Sequence, residues 1–190
     1  MLADLQELLA GIYDLPLAHN VAEFHVSDRA QLPAPWRESP ADEQVLVAED
    51  GDTLHVGVYI ESAVLERLAA ASPFAALNGG NIADTLTVLE GVSHFLYLAW
   101  NAAHDRPVTL LELELQAEID KYVASVWLLR AQDPRRFPVE LHHVLFERAR
   151  VDETLAGERV GLYRCAHRYA ARFCRRLART LAPRGPAAHA

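Results

Sequence analysis

The sequence predicts an α+β fold, in which a small antiparallel sheet near the N-terminus is followed by a bundle of four or five helices. Two observations support this prediction. The Asp50-Gly51 pair separates two runs of β-branched residues, a pattern typical of a β-hairpin. After residue 61, apolar residues recur at helical spacing instead. The expected division of the chain is a single domain over residues 1–182, made of a sheet-containing part (1–60) and a helical bundle (61–182), and a disordered tail (183–190).

The sheet-containing part is expected to begin with an amphipathic helix, because apolar residues recur every three or four positions from Leu2 to Ile12. A strand over 21–26 and a proline-bearing loop over 32–40 should follow. The Asp-Gly turn then joins the two strands of the hairpin, of which the second extends over 53–60. About three antiparallel strands are therefore expected.

The helical bundle is predicted from its helix breaks as well as from its periodicity. A long helix that starts near Asn81 should end before Pro107, because proline cannot continue a helix. Thr109 and Glu112 have the spacing of a capping box, which starts the next long helix. With so short a connection, these two helices are expected to pack antiparallel. The expected helices cover residues 61–71, 81–105, 109–131, 137–148 and 153–181.

The composition is that of an ordinary globular protein. Of the 190 residues, 51% are hydrophobic and 23% are charged, which excludes wholesale disorder. No apolar run approaches the roughly 18 residues of a membrane span, and the first residues carry acids where a signal peptide needs positive charge. We therefore expect a cytoplasmic protein without membrane association. Every basic residue except Lys121 is arginine, a bias typical of a GC-rich bacterial coding sequence.

Charge is unevenly distributed along the chain, whose net charge is −8. Residues 1–147 contain 23 acidic and 8 basic side chains, whereas residues 148–190 contain 3 and 10. Nucleic-acid binding is not expected, because the isoelectric point is about 5.5 and no nucleic-acid-binding motif is present. The simplest explanation of the asymmetry is that the last helix packs near the acidic body of its own chain. The alternative is a surface for an anion or a protein partner, formed by Arg164, Arg168, Arg172 and Arg175.

An unusual set of polar residues lies on the two long helices. Glu90 and His94 are one turn apart on the first, and Glu118 and Lys121 are one turn apart on the second. Antiparallel helices bring residues equally far from their turn side by side, so these four side chains are expected to face one another. His167 lies near the apolar side of the last helix, which directs it toward the same core.

One interpretation of this set is a divalent metal site, and with it a metal-dependent hydrolase. Glutamate and histidine hold zinc and iron within helical bundles, and the candidate ligands are Glu90, His94, Glu118 and His167. The candidate catalytic residues are Glu90, Glu118 and Lys121, of which a free glutamate could act as general base. The Glu-x-x-x-His spacing matches neither the His-Glu-x-x-His of zinc peptidases nor the Glu-x-x-His of di-iron bundles, so no family is indicated.

The second interpretation, which we prefer, is a structural network. Lys121 and His94 would neutralise Glu90, Glu114 and Glu118 inside the protein and fix the register of the helices. The chain would then be a non-enzymatic binding or scaffold protein that engages a protein partner through its sheet edge or its arginine helix. Open space beside His94 would favour the enzyme, and a closed network in which every donor is paired would favour the scaffold.

Overall fold

A computed structural model of the protein describes residues 1–16, 18–51, 53–147 and 158–182. It confirms the predicted fold class, because a small N-terminal sheet is followed by a bundle made of the five helices from α3 onward. The helices are α1 (Leu2–Tyr13), α2 (Ala34–Arg37), α3 (Ser62–Ala70), α4 (Ile82–Ala102), α5 (Leu110–Gln132), α6 (Leu141–Phe146) and α7 (Glu158–Leu181), and the strands are β1 (His25–Val26), β2 (Glu43–Asp50) and β3 (Thr53–Ile60). The predicted tail and the predicted start of the last helix lie outside the described residues.

The sheet differs from the prediction in the direction of its first strand. β2 and β3 form the expected antiparallel hairpin, and Gly51 occupies its turn with a φ of +58°. β1 has only two residues and pairs in parallel with β3, with His25 opposite Val58. The expectation of an all-antiparallel sheet is therefore wrong for β1. The chain reverses direction between β1 and β2 and again between β2 and β3. β1 therefore runs parallel to β3, and it pairs with the edge of β3 that β2 leaves free.

Side-chain hydrogen bonds shape the segments on either side of β1. Asn20 and Asp28 each accept a hydrogen bond from the backbone N–H two residues ahead, and each starts a 3₁₀ turn. The first turn replaces most of the strand expected over 21–26, the second lies between that strand and the expected loop, and the loop expected over 32–40 contains the short helix α2. Arg29 donates to the hydroxyl of Tyr59, to the carboxylate of Glu61 and to two backbone oxygens just before β2. This guanidinium ties the crossover between β1 and β2 to the end of β3.

The two long helices form the antiparallel hairpin predicted around Pro107. The capping box is present: Thr109 accepts from the backbone of Glu112, whose side chain accepts from the backbone of Thr109. α4 packs on β3, α1 and α3 around fully buried residues such as Val92. α5 also packs on α6 and α7, around Tyr122. Polar side chains that lie between these two apolar cores are consequently enclosed on several sides.

Candidate metal centre

The predicted polar residues of α4 and α5 come together in the structure. Lys121 Nζ on α5 lies 2.9 Å from Glu90 Oε2 on α4 and 2.5 Å from Glu118 Oε1 on its own helix. The lysine therefore bridges the helix pair, as an antiparallel arrangement predicts. Its side chain is 15% exposed, so both ion pairs are largely shielded from water.

His94 is buried, and its nearest polar neighbours are not the expected ones. Its Nδ1 lies 3.5 Å from Oε1 of Glu43, and its Nε2 lies 3.9 Å from Oε1 of Glu114. Both separations are too long for a strong hydrogen bond. Among the described residues, His94 Nε2 and Glu43 Oε1 have no hydrogen-bond partner although both atoms are buried. Buried polar atoms of this kind are rare in native proteins, and an ion or an ordered water is their usual partner.

Glu43 reaches the cluster because α4 packs very close to the sheet. A Cβ atom at Gly91 would lie 2.9 Å from Ile60 Cδ1 and 3.2 Å from Glu43 Cγ, so only glycine permits this approach. The sequence interpretation omitted Glu43. The two-residue alternation of β2 places it on the same face as the partly buried Val45, and this alternation is the signal that could have identified it.

Three residues are placed to bind one metal ion. Glu90, His94 and Glu114 each offer a ligand atom, and the three atoms lie within 4.8 Å of one another. Ligands with bonds of about 2.0–2.2 Å to zinc lie roughly 3–4.4 Å apart, so small side-chain movements would complete the site. Glu43 would then face the other nitrogen of His94, in the carboxylate–histidine–metal arrangement that orients many metal ligands. This set keeps two of the four predicted ligands and adds Glu114.

The other two predicted ligands, Glu118 and His167, form a neighbouring arm of the network. His167 Nδ1 lies 2.9 Å from Glu118 Oε2, and its Nε2 lies 3.2 Å from the backbone oxygen of Phe146. Both ring nitrogens of His167 are therefore engaged, and Glu118 also holds Lys121. This arm is internally paired, unlike the surroundings of His94.

Burial and the neighbouring charges shift the pKa values in the cluster. Burial raises the pKa of Glu114 to about 7 and also raises the pKa of Glu43. Burial by itself would lower the pKa of His94, but the facing carboxylates outweigh it, so this pKa is raised. Burial would raise the pKa of Glu118, but its cationic neighbours outweigh that effect and lower the pKa to about 2. The His94 side of the network therefore takes up protons readily, whereas Glu118 stays ionised.

The predicted anion-binding or partner-binding residues are all exposed on α7, namely Arg164, Arg168, Arg172 and Arg175. Arg175 Nη2 lies 3.4 Å from Glu147 Oε1, which is a contact with an acid of the same chain. Tyr169 and Phe173 are 46% and 50% exposed on this helix. The surface of α7 therefore combines guanidinium groups with exposed aromatic rings.

Comparison with known proteins gives no match to the chain, whether with protein-family models, with curated proteins or with solved structures. The geometry of the described residues is therefore the basis of the functional proposals. Within the described part of the chain, no helix combines the length and the apolar composition that a membrane crossing requires.

Proposed function

We propose that this chain is a divalent-metal-binding protein with a non-enzymatic binding or scaffold role, in which Glu90, His94 and Glu114 hold the ion. The observation that carries this proposal is the buried imidazole of His94. Its Nε2 has no hydrogen-bond partner among the described residues, and it faces the carboxylate of Glu114. A buried polar atom left in this state lowers the stability of the fold. A metal ion would take that nitrogen as a ligand and remove the cost. Carboxylate and imidazole ligands suit zinc and manganese.

The balance of charge supports a cation at this position. Within the described residues, the carboxylates of the network are those of Glu43, Glu90, Glu114 and Glu118. Lys121 neutralises part of this charge, and protonation of His94 and His167 would neutralise more. When all four carboxylates are ionised, they outnumber these three cations by one, and uncompensated charge inside a protein is strongly destabilising. A divalent cation at Glu90, His94 and Glu114 would supply the missing positive charge.

The burial of the ligands supports a binding role over catalysis. The side chains of His94 and Glu114 are 5% and 9% exposed, whereas Glu90 is 30% exposed. A catalytic metal keeps an open coordination position that the substrate can reach, whereas a structural metal is enclosed by protein. Three protein ligands leave one position open here, but the burial of His94 and Glu114 gives a substrate little access to it. An ion enclosed to this extent would mainly tie α4 and α5 together beside β2.

Elemental analysis of the purified protein tests the proposal, followed by titration of the metal-free protein with Zn²⁺ and Mn²⁺. We expect stoichiometric metal in the wild type, and its loss in His94→Ala and in Glu114→Gln. His143→Ala is the matched control, because His143 is an exposed histidine that contacts Glu147 instead. The proposal fails if the wild type binds neither ion, or if both cluster variants remain folded by circular dichroism and bind metal as the control does.

A metal-dependent hydrolase is the second candidate, and one observation favours it. Glu90 and Lys121 border the most exposed side of the cluster, where a metal ion held by Glu90 could activate a bound water and Lys121 could stabilise a developing anion. The test is the cleavage of p-nitrophenyl acetate and p-nitrophenyl phosphate by the metal-loaded protein, with Glu90→Gln as the inactive variant. Absence of turnover with both probes in fully loaded protein would leave the binding role.

We further propose that the partner is an acidic protein surface that docks on α7. Arg172 and Arg176 line a groove together with Phe173, and Tyr169 is exposed one turn earlier. Arginine and aromatic residues are enriched at protein interfaces, and the positive charge of α7 complements acidic side chains. A glutamate-rich segment is therefore the expected chemistry of the partner.

A fluorescent polyglutamate peptide is the probe for this surface. We expect binding that weakens as salt is raised, and its loss when Arg172 and Arg176 are both replaced by glutamate. Arg135→Glu is the control, because this exposed arginine lies between α5 and α6. Absence of binding, or equal binding by the double variant, would contradict the proposal. Equally tight binding of duplex DNA would indicate a general anion site instead of a protein-binding surface.

A further inference from the structure

A second polar cluster lies where α1 meets α4 and α5, and the metal proposal does not use it. Its centre is the carboxylate of Asp120, which is 3% exposed. Oδ1 accepts hydrogen bonds from the Tyr13 hydroxyl at 2.5 Å and from Gln116 Nε2 at 2.7 Å, and Oδ2 accepts from the Ser93 hydroxyl at 2.6 Å. All three donors are neutral. In the described part of the chain, no ion pair includes Asp120, so its carboxylate has neutral hydrogen-bond donors beside it and only the more distant charge of His94 to stabilise its ionised form.

A cavity of about 250 Å³ opens beside this carboxylate. This volume is that of about eight water molecules, which suits a small organic ligand. Its walls are mainly aromatic and apolar, and its polar end is formed by Gln116 and Asp120. The lining includes the aromatic rings of Tyr13, Tyr97 and Trp100 and the aliphatic side chain of Leu96. A smaller cavity of about 80 Å³ shares Leu15, Leu96 and Trp100 with the first, so the two cavities lie side by side.

We propose that this cavity binds a small organic cation, namely a primary or quaternary ammonium group carried on a short apolar or aryl body. A buried carboxylate without a cationic partner attracts a positive charge, because the interaction is weakly screened there. The rings of Tyr13 and Tyr97 add cation–π attraction, which is strongest for a desolvated ammonium group, whereas the Trp100 ring is already contacted by Arg106 and His104. The apolar walls and the adjoining cavity would receive the body of the ligand. This proposal is independent of the metal site, because it uses none of the three metal ligands.

Three probes of similar shape separate charge recognition from simple apolar binding. Benzyltrimethylammonium and benzylamine carry the cation, whereas benzyl alcohol is neutral. We expect isothermal titration calorimetry to give dissociation constants for the two cations at least about tenfold lower than that of benzyl alcohol. Binding should also quench the fluorescence of Trp100. The proposal is overturned if the neutral probe binds as tightly as the cations, or if neither cation binds at millimolar concentration.

Two variants test the residues that carry the proposal. Asp120→Asn keeps the shape of the side chain but removes its charge, and Tyr97→Leu removes an aromatic wall while the carboxylate stays. Each should weaken benzyltrimethylammonium binding about tenfold or more. The controls are Asp133→Asn and Trp36→Leu, which remove a carboxylate charge and an aromatic ring away from this cavity and should bind as the wild type does. If Asp120→Asn does not fold, Tyr97→Leu and the neutral probe still decide, and unchanged binding by Tyr97→Leu contradicts the cation–π site.

Discussion

Protons and metal ions compete for the same atoms at His94 and Glu114. Because the pKa of Glu114 is about 7 and that of His94 is raised, both groups take up protons near neutral pH. Metal ligation requires their deprotonated forms, so binding releases protons. We expect the affinity for Zn²⁺ to fall steadily as the pH is lowered from 8 to 6, measured by competition with a chromogenic chelator. An affinity that is constant over this range would contradict the assigned ligands.

The effect of pH on the stability of the metal-free protein should be opposite to its effect on Zn²⁺ affinity, because of Glu114. A carboxyl group whose pKa is raised from 4.5 to about 7 stays protonated in the folded state while the unfolded state ionises, so stability falls as the pH rises from about 4.5 through 7. Glu114→Gln removes this effect. We expect the metal-free variant to gain up to about 3 kcal/mol over the wild type at pH 8 and little at pH 5, by urea denaturation. An equal loss of stability at both pH values would show that the charged carboxylate supports the fold.

Lys121 should be important for folding whatever the function of the cluster. Its replacement by methionine keeps the volume but leaves Glu90 and Glu118 without their shared cation. Loss of one partner from a buried ion pair typically costs about 3–5 kcal/mol, and we expect Lys121→Met to lose stability in this range. Arg67→Met is the control, because the Arg67–Asp84 pair involves a side chain that is 54% exposed, and the loss of such a solvent-screened pair should cost far less stability. Similar losses in the two variants would contradict this assignment.

Among the elements, α4 depends on a glycine in its interior. Glycine is unfavourable within a helix by about 1 kcal/mol relative to alanine, yet Gly91 is needed for the close packing of α4 on β3. We expect Gly91→Ala to destabilise the protein by about 1–3 kcal/mol, because overpacking outweighs the gain in helix propensity. Gly161→Ala on α7 is the control. Among the described residues, its added Cβ would meet no atom within 4 Å outside its chain neighbours and the backbone of its own helix, so the substitution should stabilise by roughly 0.5–1 kcal/mol. Thermal melts of both variants measure the difference.

The register between α4 and α5 explains why His94 meets Glu114 and not Glu118. The observed pairs, Glu90 with Lys121 and His94 with Glu114, are centred near residue 105 and not at Pro107. α4 ends at Ala102 and α5 starts at Leu110, so four residues of the turn lie before Pro107 and only two lie after it. Pairing residues that are equally far from Pro107 therefore predicts the correct helix faces. It places Glu118 beside His94 instead of Glu114, which is an error of about one helical turn.

At the scale of the whole molecule, the proposed ion would join two helices of the bundle beside the sheet. A ligand that binds only the folded state at a concentration one hundred times its dissociation constant adds about 2.7 kcal/mol of stability. For a chain of this size, this corresponds to a rise in melting temperature of about 5–10 °C. We expect saturating Zn²⁺ to raise the melting temperature by this amount, and a chelator to reverse the rise. His94→Ala should not respond, and a similar rise in that variant would place the ion elsewhere.

Much of the architecture follows from short-range signals in the sequence. The Asp-Gly turn specifies the hairpin of β2 and β3, the capping box at Thr109 starts α5, and the break at Pro107 makes α4 and α5 antiparallel. This arrangement brings Glu90 beside Lys121, because residues on facing helical stripes must meet when the connection is short. These features depend on residues within a few positions of one another, where backbone geometry leaves few alternatives.

The tertiary structure alone decided the pairing of β1 and the composition of the two polar clusters. β1 took the free edge of β3, which depends on the path of the long crossover before β2. Glu43 lies beside His94 because Gly91, which has no Cβ atom, allows the sheet to pack closely against α4. Asp120 is largely buried because Tyr13, more than one hundred positions earlier, lies against it. Periodicity determines which face of an element is polar, but the distance and offset between elements are set by the packing of side chains that are remote in sequence.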